Sequence, residues 1–242
     1  MSVASESFLC VILLCEAVEG FPVLQIPKSQ MIFMSGHTTR DKILEVSIRL
    51  FNQQGVQNVR LQQIADMAGI SIGNLAYHFY DKKKILTDIA LGIDEAFSQA
   101  TAGWKDIHQL IDLDNHLSHQ YYLLNTYAFY FLDIVDIKRF YPEIYRGRKE
   151  QTNQFIEHLT AWLERSVESR LFLPPQRPGQ YADLSKMIWF ISAFWMSKKR
   201  IYQDEEDFEF GFKKMIWQQL EPFFTPEGKS EFDILIAPGL FY

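Results

Sequence analysis

The sequence predicts an all-α fold, in which a short N-terminal helical module precedes a larger helical domain. Three observations support this prediction. Apolar residues recur at helical spacing along most of the chain, the alternation typical of strands is weak, and glycines follow several of the helical patterns. The 242 residues, 48% of them hydrophobic, are enough for one large or two small domains with a sizeable core.

Two helices are predicted over residues 39–54 and 61–68, where the apolar residues recur every three or four positions. Thr38 or Thr39 is a suitable N-cap for the first helix, because its hydroxyl can accept from the first free backbone N–H groups. Gly69 follows the second helix and tolerates the positive φ of a helix C-cap.

A third helix is predicted from about Ile72 to Phe79, with Ser71 as its N-cap, and Asp81 caps a fourth helix. Leu75 and Phe79 are four residues apart, so they face the first two helices together. Two short helices joined by a tight glycine turn form a helix-turn-helix, whose second helix fits the major groove of DNA.

Charge separates this module from the rest of the chain. The formal net charge is −6, but residues 37–86 carry seven Lys and Arg against four Asp and Glu, a balance of +3, whereas residues 1–36 carry −2 and the remainder −7. A basic module suits a polyanionic partner. Both cysteines, Cys10 and Cys15, precede the module, so disulfides and cysteine metal sites are not expected in the main body, and a reducing cytoplasm is the expected location.

The first 36 residues include an apolar stretch of eight residues, FLCVILLC. It is too short for a membrane span and lacks the basic flank of a signal peptide, so no membrane association is expected. Met31 and Met34 lie just before the first convincing helix. We interpret residues 1–36 as a disordered or mis-assigned N-terminal extension; a start placed too far upstream is the preferred explanation, and a short added helix or tail is the alternative.

The outward and edge positions of the third helix are the candidate DNA readers: Ile72, Gly73, Asn74, Ala76, Tyr77 and His78. Tyr77, His78 and Lys82 are of the right type to hold phosphate oxygens, and Asn74 can reach a phosphate or a base edge. In the alternative interpretation, Tyr77 and His78 only cover the helix junction, and Lys82–Lys84 are a solvated helix start.

One stretch of the sequence resembles the DNA-binding domain of the TetR (tetracycline repressor)/AcrR-like family of regulators: TTRDKILEVSIRLFNQQGVQNVRLQQIADMAGISIGNLAYHFYDKKKIL. The resemblance spans roughly residues 38–90 and is carried by the turn pattern IA..AG.S and the helix pattern G.L.YHF..K..L. It implies a dimeric, all-helical, one-component transcriptional regulator, usually a repressor. Such a protein binds palindromic double-stranded DNA, and its larger C-terminal domain binds a small-molecule effector.

The resemblance also assigns roles to individual positions. Bases would be read by Ile72, Gly73 and Ala76, and phosphates would be held by Asn74, Tyr77, His78 and Lys82. The predicted DNA-contacting set is completed by Thr39, Arg40, Arg60 and Ser71. The chain would then divide into the extension 1–36, a helix-turn-helix DNA-binding domain 37–86, and a helical effector-binding and dimerisation domain 87–242.

Three positions depart from the family pattern. Ile72 stands where a lysine is common, and Ala76 stands where a tyrosine is common, so apolar contacts with thymine methyls or DNA shape would supply more of the specificity. Arg60 replaces a threonine that commonly caps the second helix, which adds a cation near the DNA backbone but leaves its capping role open.

Beyond residue 100 the helical pattern continues. Long helices are predicted at about 113–137, 148–170, 181–201 and 206–224, with a short helix near 142–147. The stretch LPPQRPGQ between the second and third long helices indicates a loop. The last segment, FDILIAPGLFY, is either a docked tail or a short strand.

Two of these helices carry apolar stripes that are too extensive for an exposed surface: Leu184, Met187, Ile188, Ile191, Phe194 and Trp195, and then Phe208, Phe212, Met215, Ile216 and Leu220. The resemblance implies that the last two long helices form a four-helix dimer interface, so a homodimer joined through residues 181–224 is expected. Monomer core is the alternative.

An effector cavity is expected between the fourth helix and the helices at 113–137 and 148–170. Its candidate lining residues are Tyr121, Asn125, Phe129, Phe155 and Trp162. Ordinary core packing is the alternative for each of them. The aromatic content predicts a bulky, largely apolar effector, and no cofactor is expected.

Catalysis is not predicted. Asp112, His116 and His119 have a spacing compatible with a metal site, but without a second set of ligands solvated or capping roles are preferred. The sequence has no phosphate-binding glycine loop, nucleophile elbow, or Ser or Cys with a recognisable His partner. The competing non-enzymatic function is a helical module that uses its third helix on a protein partner; the phosphate-type residues argue against it.

Overall fold

A computed structural model describes residues 38–145, 147–202 and 208–237, and every regular element in these ranges is helical. The helices are α1 Thr39–Gln54, α2 Leu61–Ala68, α3 Ile72–His78, α4 Lys82–Ala102, α5 Leu110–Thr126, α6 Ala128–Leu132, α7 Ile134–Phe140, α8 Pro142–Tyr145, α9 Gly147–Glu168, α10 Gln180–Ile201, α11 Phe208–Leu220 and α12 Pro226–Leu235. The predicted N-terminal extension 1–36 lies outside the described residues. None of the described helices is long and apolar enough to cross a membrane.

The N-terminal module has the predicted helices and caps. Thr38 caps α1 by accepting from the Asp41 N–H at 3.1 Å, and Asp81 caps α4 by accepting from the Lys84 N–H at 2.7 Å. Leu75 and Phe79 are fully buried, as the helical spacing predicted. Local sequence signals were sufficient here, because each cap is satisfied by a residue within three positions of it.

The predicted continuous helix at 113–137 is wrong: the structure has α5, α6 and α7 in its place. Asn52 of α1 occupies the first break, where its Nδ2 donates to the Thr126 carbonyl at 2.9 Å and its Oδ1 accepts from the Phe129 N–H at 2.9 Å. At the second break, Asp133 accepts from the Val56 N–H at 2.8 Å. Asn52 therefore replaces hydrogen bonds that a continuous helix would make at the first break, whereas the Val56 contact attaches the second break to the N-terminal module.

The end of the chain contributes a docked helix. The segment FDIL belongs to α12, and residues 238–242 lie outside the described part. Glu231 of α12 accepts from the Leu110 N–H at 2.6 Å, which caps the start of α5. Phe232 packs against Trp217 and Phe224, with ring centroids 5.2 Å apart in both pairs. This aromatic cluster closes one end of the C-terminal bundle.

Gly228 sits where α12 passes closest to the chain before α10. A Cβ added to Gly228 would lie 2.1 Å from the Leu171 carbonyl oxygen, a distance at which the backbone must move. The same carbonyl accepts from the Thr225 N–H at 3.1 Å. Glycine at this position therefore permits the docking of α12.

We predict that Gly228→Ala lowers the free energy of unfolding by about 2 kcal/mol or more, because the new methyl group overpacks a backbone contact. Gly103→Ala is the matched control, since its Cβ would meet no atom within 4 Å and its φ is −66°. That variant should be neutral or stabilising by up to about 1 kcal/mol. Urea titrations at equal protein concentration measure both, and equal stabilities for the two variants would contradict the prediction.

Candidate nucleic-acid interface and cavity

The turn between α2 and α3 is closed by local hydrogen bonds. Gly69 adopts a left-handed conformation with φ 66° and ψ 36°, and its N–H donates to the carbonyls of Ala65 and Asp66. Ser71 then caps α3 by accepting from the Asn74 N–H at 3.1 Å. These contacts hold α3 in a single orientation relative to α2.

The face of α3 that points away from Leu75 and Phe79 is open to solvent. Tyr77 is 85% exposed and Ile72 is 44% exposed. Three other predicted contact residues on this face are also exposed: Gly73, Asn74 and Ala76. His78 is half-buried, and the centre of its ring lies 5.2 Å from that of Tyr77. The structure therefore brings all six candidate readers together on one accessible surface.

Lys82 lies at the edge of this surface, but its ammonium group has partners within the protein. Nζ donates to the carbonyls of Val56, Gln57 and Val59 at 2.8, 3.3 and 3.0 Å, so all three of its hydrogens are used. Burial lowers the pKa of Lys82. Sequence reasoning missed this role because the accepting carbonyls are more than twenty positions away.

The two following lysines also have acidic partners. Lys83 forms an ion pair with Glu143 at 2.9 Å, and Lys84 forms one with Asp88 at 2.7 Å. The hydrogen bond from Lys83 to Glu143 raises the pKa of Lys83. Two of the three lysines in this cluster therefore form ion pairs with carboxylates of the folded chain.

Thr39 and Arg40 begin α1, and Arg40 is held by α4. Its guanidinium lies 2.5 Å from a buried Asp88 oxygen and 5.3 Å from the centre of the Phe79 ring. Arg60 is exposed just before α2, and its backbone N–H donates to the Gln63 side chain at 2.7 Å. Gln63 thus supplies one cap of α2, and the Arg60 guanidinium remains on the surface.

The C-terminal bundle contains a partly open cavity between α4, α5, α6, α9 and α10. It encloses about 550 Å³, the space open to solvent included. Apolar side chains form much of its wall: Phe97, Leu124, Phe131, Phe155, Trp189 and Ala193. Polar groups are contributed mainly by α9, including Arg148, Gln151 and Thr152. A largely apolar wall with a few polar groups is typical of small-molecule sites.

Of the five residues predicted to line an effector cavity, Phe155 does so. Trp162 is fully buried in the core and donates to the Ile107 carbonyl at 3.2 Å. Tyr121 and Asn125 lie beside Lys199, whose Nζ is 2.7 Å from the Asn125 Oδ1. Phe129 lines a separate cleft where α1 meets α6. The predicted 113–137 helix breaks at residue 127, so Phe129, which lies beyond the break, does not face the direction that a continuous helix would give it.

Two of the three candidate metal residues, Asp112 and His116, have other contacts in the structure. Asp112 accepts from the backbone N–H groups of His108 and Gln109, so it acts as a helix cap. His116 is not solvated; its ring packs 4.4 Å from that of Trp104, and burial lowers the pKa of His116 to about 4. Within the described ranges no three His, Cys, Asp or Glu side chains are placed to hold a metal ion.

Comparison with known proteins identifies the family to which both parts of the chain are similar. Residues 43–89 match the family described as bacterial regulatory proteins, tetR family, and residues 95–232 match the TetR family of bacterial transcriptional repressors. The second match alone spans more than half of the chain.

Among curated proteins, the chain is 45% identical over 51 residues to the transcriptional regulator AcrR of Shigella flexneri, which covers 21% of this chain and 24% of AcrR. It is 34% identical over 86 residues to RutR of Escherichia coli K12, covering 33% and 41% of the two chains. These matches span well under half the length of either relative.

Solved structures share the fold along most of the chain. A TetR-family regulator from Marinobacter aquaeolei VT8 superposes with a TM-score of 0.71 at 24% identity, covering 81% of this chain and 97% of that one. The structure of a SmeT–triclosan complex superposes with a TM-score of 0.60 at 16% identity, covering 78% and 92%. With both halves matched by family profiles and the helix-turn-helix geometry in place, this chain belongs to the TetR family of bacterial transcriptional regulators.

Proposed function

We propose that this chain is a one-component transcriptional repressor without catalytic activity, which binds a palindromic operator as a homodimer and is released by a small effector. The observation that carries the proposal is the exposed face of α3, where Ile72 and Tyr77 project from a rigidly capped helix-turn-helix. An exposed recognition helix fits the major groove and presents these side chains to base edges and phosphates.

Phosphate binding by this face would depend on hydrogen-bond donors more than on free charge. Lys82, Lys83 and Lys84 all have partners inside the protein, whereas Tyr77, Asn74 and Arg60 are exposed. Tyrosine, asparagine and arginine side chains are common phosphate donors. We assign Lys82 the additional role of holding the loop before α2, so that Arg60 and the start of α2 keep their positions.

Dimerisation would use the part of the apolar stripe that the monomer leaves open. Ile188, Trp195, Phe212, Ile216 and Leu220 are buried within the chain, so this half of the predicted stripe is monomer core. On α10, Met187, Phe190 and Phe194 are each a little over half exposed. Phe190 and Phe194 stack with ring centroids 4.5 Å apart. Three large apolar side chains along one helix face favour a self-complementary interface.

The cavity would hold the effector, and the breaks around α6 would carry its effect to the DNA-binding module. Phe131 lines the cavity, and Asp133, two residues later in the chain, accepts from the Val56 N–H before α2. Asn52 joins α1 to the other end of α6. A ligand that moves α6 therefore changes the support of α1 and α2. The complex of a fold neighbour, SmeT, with triclosan is consistent with small-molecule binding in this architecture.

The DNA assignment is tested with two variants on two duplexes. We expect Ile72→Ala to weaken binding to the operator about tenfold and to change binding to random DNA little, because an apolar contact with a thymine methyl depends on sequence. Tyr77→Phe should weaken binding to the operator and to random DNA by similar factors of about five, since it removes a hydroxyl that donates to a phosphate. Fluorescence anisotropy with fragments of the upstream region measures this, with Tyr202→Phe, exposed at the end of α10, as the control.

A wild-type chain that binds no duplex at low salt would refute the proposed function. If Ile72→Ala weakened binding to both duplexes equally and Tyr77→Phe weakened binding to the operator alone, the roles of Ile72 and Tyr77 would have to be exchanged.

For Lys82→Met, we predict a loss of about 1–2 kcal/mol of unfolding free energy, because three carbonyls lose a charged donor at a partly exposed site. DNA binding should fall equally on specific and random duplexes. Lys83→Met is the control and should cost less, since its ion pair is exposed. Chemical denaturation and a salt series measure both effects. Unchanged stability with a shallower salt dependence would instead mean that Lys82 turns outward to a phosphate.

The dimer is tested with Phe190→Glu. Light scattering of the wild type at micromolar concentration should give about twice the 28.4 kDa chain mass. Phe190→Glu should give the monomer mass, because a carboxylate would be buried without a partner. Phe140→Glu, at a 54% exposed phenylalanine of α7, is the matched control and should remain dimeric. A monomeric wild type, or a dimeric Phe190→Glu, would contradict the assignment.

A further inference from the structure

Two polar side chains of the cavity lack full compensation, and together they indicate the chemistry of its ligand. The first is Arg148, near the start of α9. Its guanidinium carbon lies 4.4 Å from the centre of the Phe131 ring and 5.1 Å from that of Tyr130. Burial lowers the pKa of Arg148. Among the described residues no Asp or Glu forms an ion pair with it, although Asp94 lies close enough to interact electrostatically.

Asp94 does not neutralise this cation by direct contact. Its carboxylate accepts from Gln151 at 2.5 Å, and burial raises the pKa of Asp94. A guanidinium that is removed from water without a directly bonded anion is unfavourable in the free protein. The aromatic rings and the nearby Asp94 offset part of this cost, and an anionic ligand would supply the direct partner that the protein does not. Tyr130 also shares a side-chain hydrogen bond with Arg148, so the remaining N–H groups of the guanidinium are the ones left for that anion.

The second side chain is Gln120 of α5. It is 6% exposed and lines the same cavity, and within the described part of the chain its Oε1 accepts no hydrogen bond. A buried acceptor without a donor is as unfavourable as a lost hydrogen bond. The ligand that completes this site therefore has a hydroxyl or amine hydrogen to donate.

We propose that the effector is a small amphipathic carboxylate, whose anionic group is bound by Arg148 and whose apolar body lies among Phe97, Phe155 and Trp189. A hydroxyl or amine on that body donates to Gln120. The inference rests on the proposed effector role of the cavity. One guanidinium, with the Asp94 carboxylate near enough to interact with it electrostatically, favours a monoanion over a dianionic phosphate ester.

Calorimetric titration of the purified full chain, without DNA, tests the proposal. The probes are phenylbutyrate and octanoate, each against its neutral alcohol, with octyl phosphate as the dianion. We expect each acid to bind about tenfold or more tightly than its alcohol, because the acid forms a charge-assisted hydrogen bond with arginine. Arg148→Gln should remove this preference. Arg139→Gln, at an exposed arginine of α7, should retain it.

Gln120 is tested with the β-hydroxy derivative of octanoate. This acid should bind more tightly than octanoate itself, and Gln120→Leu should abolish the gain while leaving the preference for acid over alcohol. If Arg148→Gln fails to fold, Arg148→Lys keeps the charge but loses the two-point contact, and an intermediate preference is expected.

Three results would overturn the proposal: equal binding of acids and alcohols, a preference that survives in Arg148→Gln, or no heat from any acid at millimolar concentration. Tighter binding of octyl phosphate than of octanoate would replace the carboxylate with a phosphate. Because these titrations contain no DNA, a negative result would refute the carboxylate assignment without testing the proposed repressor function. A chain that binds the acids but no duplex would leave the carboxylate assignment of the cavity intact and refute the repressor function.

Discussion

One continuous helix connects the two regions to which we assign function. Helix α4 runs for 21 residues from Lys82 to Ala102, about 30 Å at the rise of an α-helix. Its first residue holds the loop before α2, and Phe97, near its other end, lines the cavity. A shift of the cavity end of α4 would change the position of Lys82 if the helix moved as a unit, and with it the support of the loop before α2.

Several charged side chains of the N-terminal module hold its helices and loop together. Arg40 and Lys84 both pair with Asp88, which is buried in α4, and Lys82 binds carbonyls that precede α2. These contacts fix α1, the loop and α4 relative to one another. They also reduce the free positive charge near α3. Specific recognition by such a surface would depend on close contacts by Ile72 and Tyr77 more than on long-range attraction.

The polar side chains in the cavity wall lower the stability of the free protein. Arg148 is partly buried and forms no ion pair within the described part of the chain, and the buried Gln120 Oε1 accepts no hydrogen bond there. Hydrophobic residues of similar size would make a more stable core. Retaining polar groups in this wall makes the affinity of the cavity depend on the ligand's charge and donors. The same feature would let ligand binding stabilise one arrangement of α5, α6 and α9 over another.

The sequence by itself determined the parts of this protein that are governed by neighbouring residues. The bounds of α1, the caps at Thr38, Ser71 and Asp81, and the family all followed from short patterns. Only the tertiary structure decided where the predicted 113–137 helix first breaks, because Asn52 of α1 binds the backbone groups of Thr126 and Phe129 there. Tertiary packing likewise decided what Lys82 binds and which side chains line the cavity. A helical pattern shows that a residue is buried or exposed, whereas its partner depends on how distant helices meet.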